Sequence, residues 1–107
     1  MYDYDILVSV RFLPEKDGGR KKLPPILDSE YTYRPIFRLD NNKIGYCCGI
    51  VIGKYIENYD FATELRNVKV LFLKFSEIKN NLSVGKSFRL YEGNVVIGTG
   101  YILKIKQ

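Results

Sequence analysis

The chain contains no histidine and only two cysteines in 107 residues. Without imidazole there is no histidine general base, no Ser-His-Asp arrangement and no Cys-His pair. Two thiols without histidine also fall short of the four nitrogen and sulfur ligands of a structural zinc site. The thiols are adjacent, Cys47 and Cys48. Neighbouring strand residues point to opposite faces, so one thiol is expected in the core and one outside, both structural. No apolar run approaches the roughly 18 residues of a membrane-spanning helix. The opening Met1-Tyr2-Asp3-Tyr4-Asp5 is acidic rather than the basic start of a signal peptide, so the expectation is a cytoplasmic protein. Asp3 with Asp5, or Glu15 with Asp17, could share a divalent cation, but each reads more simply as a solvated charge.

A complete phosphate loop is missing as well. Asn80-Asn81-Leu82-Ser83-Val84-Gly85-Lys86-Ser87 ends in Gly-Lys-Ser, but Asn80 stands where the first glycine belongs and strand-like residues follow. The stretch reads as a polar connection between strands. These absences together predict a protein that is not an enzyme and carries no metal or cofactor.

What is present is period-two alternation. Tyr4, Ile6, Val8, Val10 and Phe12 alternate with Asp5, Leu7, Ser9, Arg11 and Leu13, which predicts a strand whose first set faces a core. Residues 14–30 carry Gly18-Gly19 and Pro24-Pro25 among charges and form a long connection. Further strands are expected over residues 33–39, 44–52 and 68–75, with an irregular stretch over 53–63. Residues 88–92 and 95–105 make a hairpin around Gly93-Asn94. No helix of ten or more residues is expected. Six strands with two long crossings, in a chain long enough for one core, predict a single all-β domain over residues 1–107: a small, closed, six-stranded antiparallel Greek-key barrel without exposed edges. The interior of so small a barrel fills with side chains, leaving no deep cleft for paired catalytic carboxylates.

The charge balance points toward binding. Lys and Arg number 17 against 12 acidic residues, a net charge of +5. Part of the excess is clustered in Arg20-Lys21-Lys22, with Lys69, Lys74, Lys86, Arg89, Lys104 and Lys106 later in the chain. Converging on one side, these would make a footprint for phosphates; scattered, they would only solubilise the surface.

Three groups of residues sharpen this picture: Glu15-Lys16-Asp17-Gly18-Gly19-Arg20; Tyr33-Arg34-Pro35-Ile36-Phe37; and Phe88-Arg89-Leu90-Tyr91-Glu92-Gly93 with Gly98-Thr99-Gly100. In this order and spacing the chain resembles the C-terminal β-barrel domain, domain III, of the elongation factor Tu family, standing without the GTPase domain. The resemblance implies a six-stranded antiparallel barrel and contact with the T-stem of aminoacyl-tRNA through phosphate and sugar. It places Arg20, Lys74 and Gly93 at RNA-facing positions, with Lys21 beside them. Arginine offers a planar fork, lysine a point charge, and glycine an approachable backbone.

Departures accompany the likeness. Lys21 stands where bacterial members have histidine, Ile36 replaces a glutamine, and Tyr91 replaces an arginine. Leu65-Arg66-Asn67 replaces a Pro-Gly-Asp motif, and a Tyr-rich insert spans residues 54–61. Gly18, Gly19, Tyr33, Pro35, Gly98 and Gly100 are equally explained by barrel corners and close strand packing. Two functions follow as expectations. One is a non-enzymatic module that binds tRNA or other structured RNA by its backbone. The other is a protein-interaction module that mimics domain III toward a translation factor, regulator or toxin, in a decoy or immunity-like role; the nine tyrosines suit such an interface as well as base stacking.

Overall fold

The computed structural model describes residues 4–24, 33–40, 42–51, 60–61 and 63–106. Asp3, the expected strand end at Ile52, Tyr55, Tyr59 and most of the 54–61 insert lie outside the described residues. The elements are β1 (Ile6–Phe12), β2 (Ile36–Leu39), β3 (Tyr46–Val51), β4 (Leu65–Phe72), α1 (Phe75–Ile78), β5 (Ser87–Glu92) and β6 (Val95–Ile105). The strands close into an all-antiparallel barrel in the order β1-β4-β3-β2-β5-β6. Because β2, β3 and β4 follow one another and β1 lies beside β4, the connectivity is a Greek key.

Register defines two ends. At the first, here the roof, β1 finishes with Phe12 opposite Gly98, and the β5–β6 hairpin turns just beyond the Tyr91–Val96 pair. At the floor, β1 starts with Ile6 opposite Ile105 and Val70, while β4 finishes.

The alternation of β1 works as expected. Ile6, Val8, Val10 and Phe12 are all 1% exposed or less, because closure turns every even position of the strand inward. They meet Phe37, Leu39, Ile50, Val68, Leu90, Ile97 and Ile102 in one cluster. Phe37 stacks on Phe88 at 4.6 Å between centroids and takes the edge of Phe72 at 5.0 Å. The floor is covered by α1 and the 3-10 turn Lys79–Asn81, which carry Ile78 and Leu82 into the core while Ser76, Glu77 and Lys79 face outward.

Several expectations need correction. The fourth strand runs Leu65–Phe72 rather than 68–75. Leu73 makes a last ladder-like bond to the Cys47 carbonyl at 3.0 Å, after which Phe75 opens α1 and the Glu77 N–H turns back to the Lys74 carbonyl. The Leu65-Arg66-Asn67 segment belongs to β4. Its Asn67 has φ 58° at the point where β1 slips register between Val8 and Val10, and asparagine tolerates that left-handed conformation better than most residues. The second strand is shorter than 33–39, with Tyr33 in an isolated bridge to Ile50.

Asp5 is not a solvated charge. Only 2% exposed, it accepts the Phe72 N–H through its carboxylate at 2.8 Å, while its own N–H and carbonyl bond Val70 and Lys106. Ser9, 1% exposed, donates to the Glu64 carboxylate at 2.7 Å. Both sit at outward parity, where neighbouring polar groups rather than water satisfy them. Among the described residues no helix is long and apolar enough to cross a membrane.

Candidate functional site: a basic groove at the roof

The roof groove starts from the connection after β1. Leu13 and Pro14 lead into a 3-10 turn, Glu15–Asp17, and the chain folds back so that the Gly19 N–H reaches the Pro14 carbonyl and the Arg20 N–H the Leu13 carbonyl, both at 2.9 Å. A Cβ on residue 19 would lie 2.0 Å from the Leu13 oxygen, so only glycine permits the fold-back. It ends by aiming Arg20 across the top of the hairpin.

There Arg20 finds partners the linear sequence does not display. Its guanidinium forms an ion pair with Glu92, its Nε donates to the Lys22 carbonyl at 2.8 Å, and its plane lies 5.4 Å from the Tyr33 ring centre. The Tyr33 hydroxyl donates to the same Glu92 oxygen. Burial, followed by that hydrogen bond and the negative charge of Glu92, pushes the Tyr33 phenol well above its ordinary range, against a smaller opposing effect of Arg20.

Gly93 stands beside this cluster with φ 60°, whereas Asn94 does not have a positive φ. That is the pattern of a type II′ hairpin turn, which asks for glycine at its first central position. Turn geometry alone therefore accounts for Gly93, and no atom lies within 4 Å of where its Cβ would be.

Gly19, Arg20, Lys21, Lys22, Glu92, Val95 and Ile97 line an open groove of about 450 Å³. Lys21 is well exposed, with its Nζ 3.8 Å from Glu15. Three of the four residues singled out from sequence, Arg20, Lys21 and Gly93, thus meet at the roof. The fourth, Lys74, does not join them. It lies two residues beyond the floor end of β4, the strand diametrically opposite β5 in the barrel order, and its Nζ lies 3.8 Å from Glu77. The two ends lie a strand length apart, and β4 with its 8 residues is about 25 Å long at about 3.3 Å per residue.

Other residues noted from sequence take plain structural places. Tyr91 receives the Arg38 guanidinium over its ring at 5.5 Å. The Gly-Lys-Ser stretch leads from the floor turn into β5, and the Lys86 ammonium donates to the Asn81 carbonyl at 2.7 Å. Cys47 is exposed and Cys48 buried, neither in a disulfide. The Cys48 thiol faces the Pro35 carbonyl, and burial pushes its pKa up. On the β1–β6 wall, Glu64 accepts from Ser9 and from the Tyr101 hydroxyl with Arg66 beside it, and these partners hold its carboxyl below the usual range.

The residues that sequence reasoning missed are Glu92, Tyr33 as its hydroxyl donor, and Glu64. Glu92 lies 72 positions from Arg20. Its one signal was an acidic residue inside an otherwise conformational Tyr-Glu-Gly turn. The chain matches no family model and no curated protein sequence.

Proposed function

We propose that the protein is a non-enzymatic binding module of translation-related, cytoplasmic type, gripping the backbone of tRNA or another structured RNA at the roof. The observation that carries this reading is the groove itself, in which three cations from one loop, Arg20, Lys21 and Lys22, share the lining with Glu92 and Val95, the residues that flank the Gly93-Asn94 turn. Phosphate contacts of this kind position a nucleic acid without reading its bases. The resemblance of the Gly-Gly-Arg and Tyr-Glu-Gly motifs to domain III of elongation factor Tu supports the same placement. In this arrangement Arg20 is held at the groove by Glu92 and Tyr33, while Lys21 and Lys22 supply the outward charge.

A second reading has its own observation. Glu92 places a carboxylate in the groove, and Val95 and Ile97 give it an apolar wall, features that suit a protein segment better than a phosphate chain. Here the barrel acts as a mimic of domain III toward a translation factor, regulator or toxin.

Fluorescence anisotropy with labelled tRNA across a salt series separates the two. The RNA reading expects affinity that falls steeply with salt, and the substitutions Lys21→Ala and Lys22→Ala each flatten the logarithmic slope by roughly one unit. No binding at low salt removes the RNA reading and leaves the protein partner.

A further inference from the structure

The floor offers a surface of different chemistry. Leu73, Val84 and Ile44 are 74%, 66% and 57% exposed, and all three lie at or beyond the floor ends of strands: Leu73 after β4, Ile44 before β3, Val84 before β5. Leu73 also lines a groove of about 340 Å³ on the outer wall, where β3 and β4 run toward the floor. Its other lining residues are Arg34, Cys47, Cys48, Gly49, Leu71 and Phe72.

Parity explains the groove. Cys48 and Phe72 point into the core, so Cys47, Gly49, Leu71 and Leu73 occupy the outward positions, and Gly49 contributes no side chain opposite Leu71. The result is an apolar recess lined by Arg34 on one side, with Lys74 next along the chain after Leu73. Lys43 stands on the turn before β3, whereas Lys79 and Lys86 belong to the connection that leads to β5 on the other side of the barrel; of the floor carboxylates, Glu77 lies 3.8 Å from the Lys74 ammonium. Asp40 is already engaged by Ser87 and Arg89.

We propose that this recess docks an acidic segment of a protein partner, an apolar side chain of the segment entering between Cys47 and Leu73 while its carboxylates face Arg34, Lys43 and Lys74. The chemistry selects that occupant. Nucleic acid would use the lysines but gain nothing from a bare leucine beside a concave apolar wall, and a flat bilayer would cover Leu73 without filling the recess. An acidic segment with an aliphatic or aromatic anchor uses both features: the lysines speed its approach and the recess retains it.

The site is remote from the roof groove, so its test is independent of the RNA reading. A displayed library of random twelve-residue peptides is panned on the intact protein, and enriched peptides are resynthesised with a fluorophore. The expected winners carry several Asp or Glu residues around one bulky apolar residue. Their binding should weaken about tenfold or more in Leu73→Ser, weaken several-fold in Lys74→Glu, and be blocked when Cys47 is alkylated, Cys48 being buried. Substitution of exposed residues and alkylation of an exposed thiol leave the core intact, which circular dichroism confirms in parallel. Winners without acidic bias, or winners indifferent to both Leu73→Ser and Cys47 alkylation, overturn the proposal. So does a Leu73-dependent capture of phosphatidylserine vesicles or tRNA that no acidic peptide displaces.

Discussion

The two ends of the barrel both carry lysine and arginine, yet they hold their charge differently. At the roof the sharpest cation, Arg20, is committed to Glu92, to a backbone carbonyl and to the Tyr33 ring, and Lys21 stands near Glu15. At the floor Lys74 stands 3.8 Å from Glu77, Arg89 pairs with Asp40, the buried carboxylate of Asp5 is occupied by a backbone N–H, and the lysines share their surface with exposed aliphatic side chains. The number of cations in a loop therefore says little about the field a partner meets; what matters is how far the molecule's own carboxylates cancel it. By that measure both ends are partly neutralised, and what separates them is that the roof holds a preset arginine while the floor sets its cations among exposed aliphatic side chains.

That contrast can be broken most forcefully at the floor cover. Ile78→Ala empties a fully buried position under α1 and should cost about 2–5 kcal/mol in urea unfolding, with the roof groove unchanged. A loss below about 0.5 kcal/mol would mean that α1 does not belong to the core. Asp5→Ala should cost about 1–3 kcal/mol, since it strands the Phe72 N–H, and Asp5→Asn should recover part of the loss by restoring an acceptor.

The roof responds to alkali. The Tyr33 pKa is raised on folding, so its contribution is fully present below the unfolded value of about 10 and is lost as pH rises beyond it, because only the unfolded chain then releases the proton. Wild type should lose stability above about pH 10 more steeply than Tyr33→Phe, as read from thermal melts over pH 9–11; equal slopes would mean that Tyr33 ionises freely in the folded protein. The smallest effect is Glu92→Gln. It removes a partly exposed ion pair worth about 1 kcal/mol at low salt and less at high salt. It should nonetheless raise tRNA affinity if phosphate is the roof's ligand, because the opposing carboxylate is gone. A fall in affinity would instead make Glu92 essential for aiming Arg20.

The barrel was legible because its signal is repetitive. Tyr4 to Phe12 alternates over nine positions, and β6 was bounded correctly from its β-branched residues and the glycine turn before it. Short apolar runs were not so clear: Leu71-Phe72-Leu73-Lys74-Phe75 is compatible with strand or helix, and only the last bond to Cys47 shows where the ladder stops. Asp5 and Ser9 followed the parity rule in direction but not in environment, since parity cannot reveal what lies over an outward residue. At the site, Gly19, Arg20 and Gly93 were visible as a glycine-rich loop and a turn. The partnership of Arg20 with Glu92 was not, because nothing local couples residues 72 positions apart. Lys74 was grouped with Arg20 by the resemblance to domain III, and a motif likeness along the chain does not fix which end of this barrel each cation occupies.

The pairing of β1 with both β4 and β6 sets the order of events when the chain is made. Ile6 ends up against Ile105, so the contact order is high and β1 cannot be enclosed until the last strand arrives. At about 5–20 residues per second of synthesis, the apolar face of Ile6, Val8, Val10 and Phe12 waits about 5–20 seconds without its final neighbour. During that interval a chaperone that shields extended apolar segments has more to bind than the finished barrel ever shows. Folding yield in the cell should therefore depend on the speed of elongation through residues 13–95 more than on the stability of the completed fold.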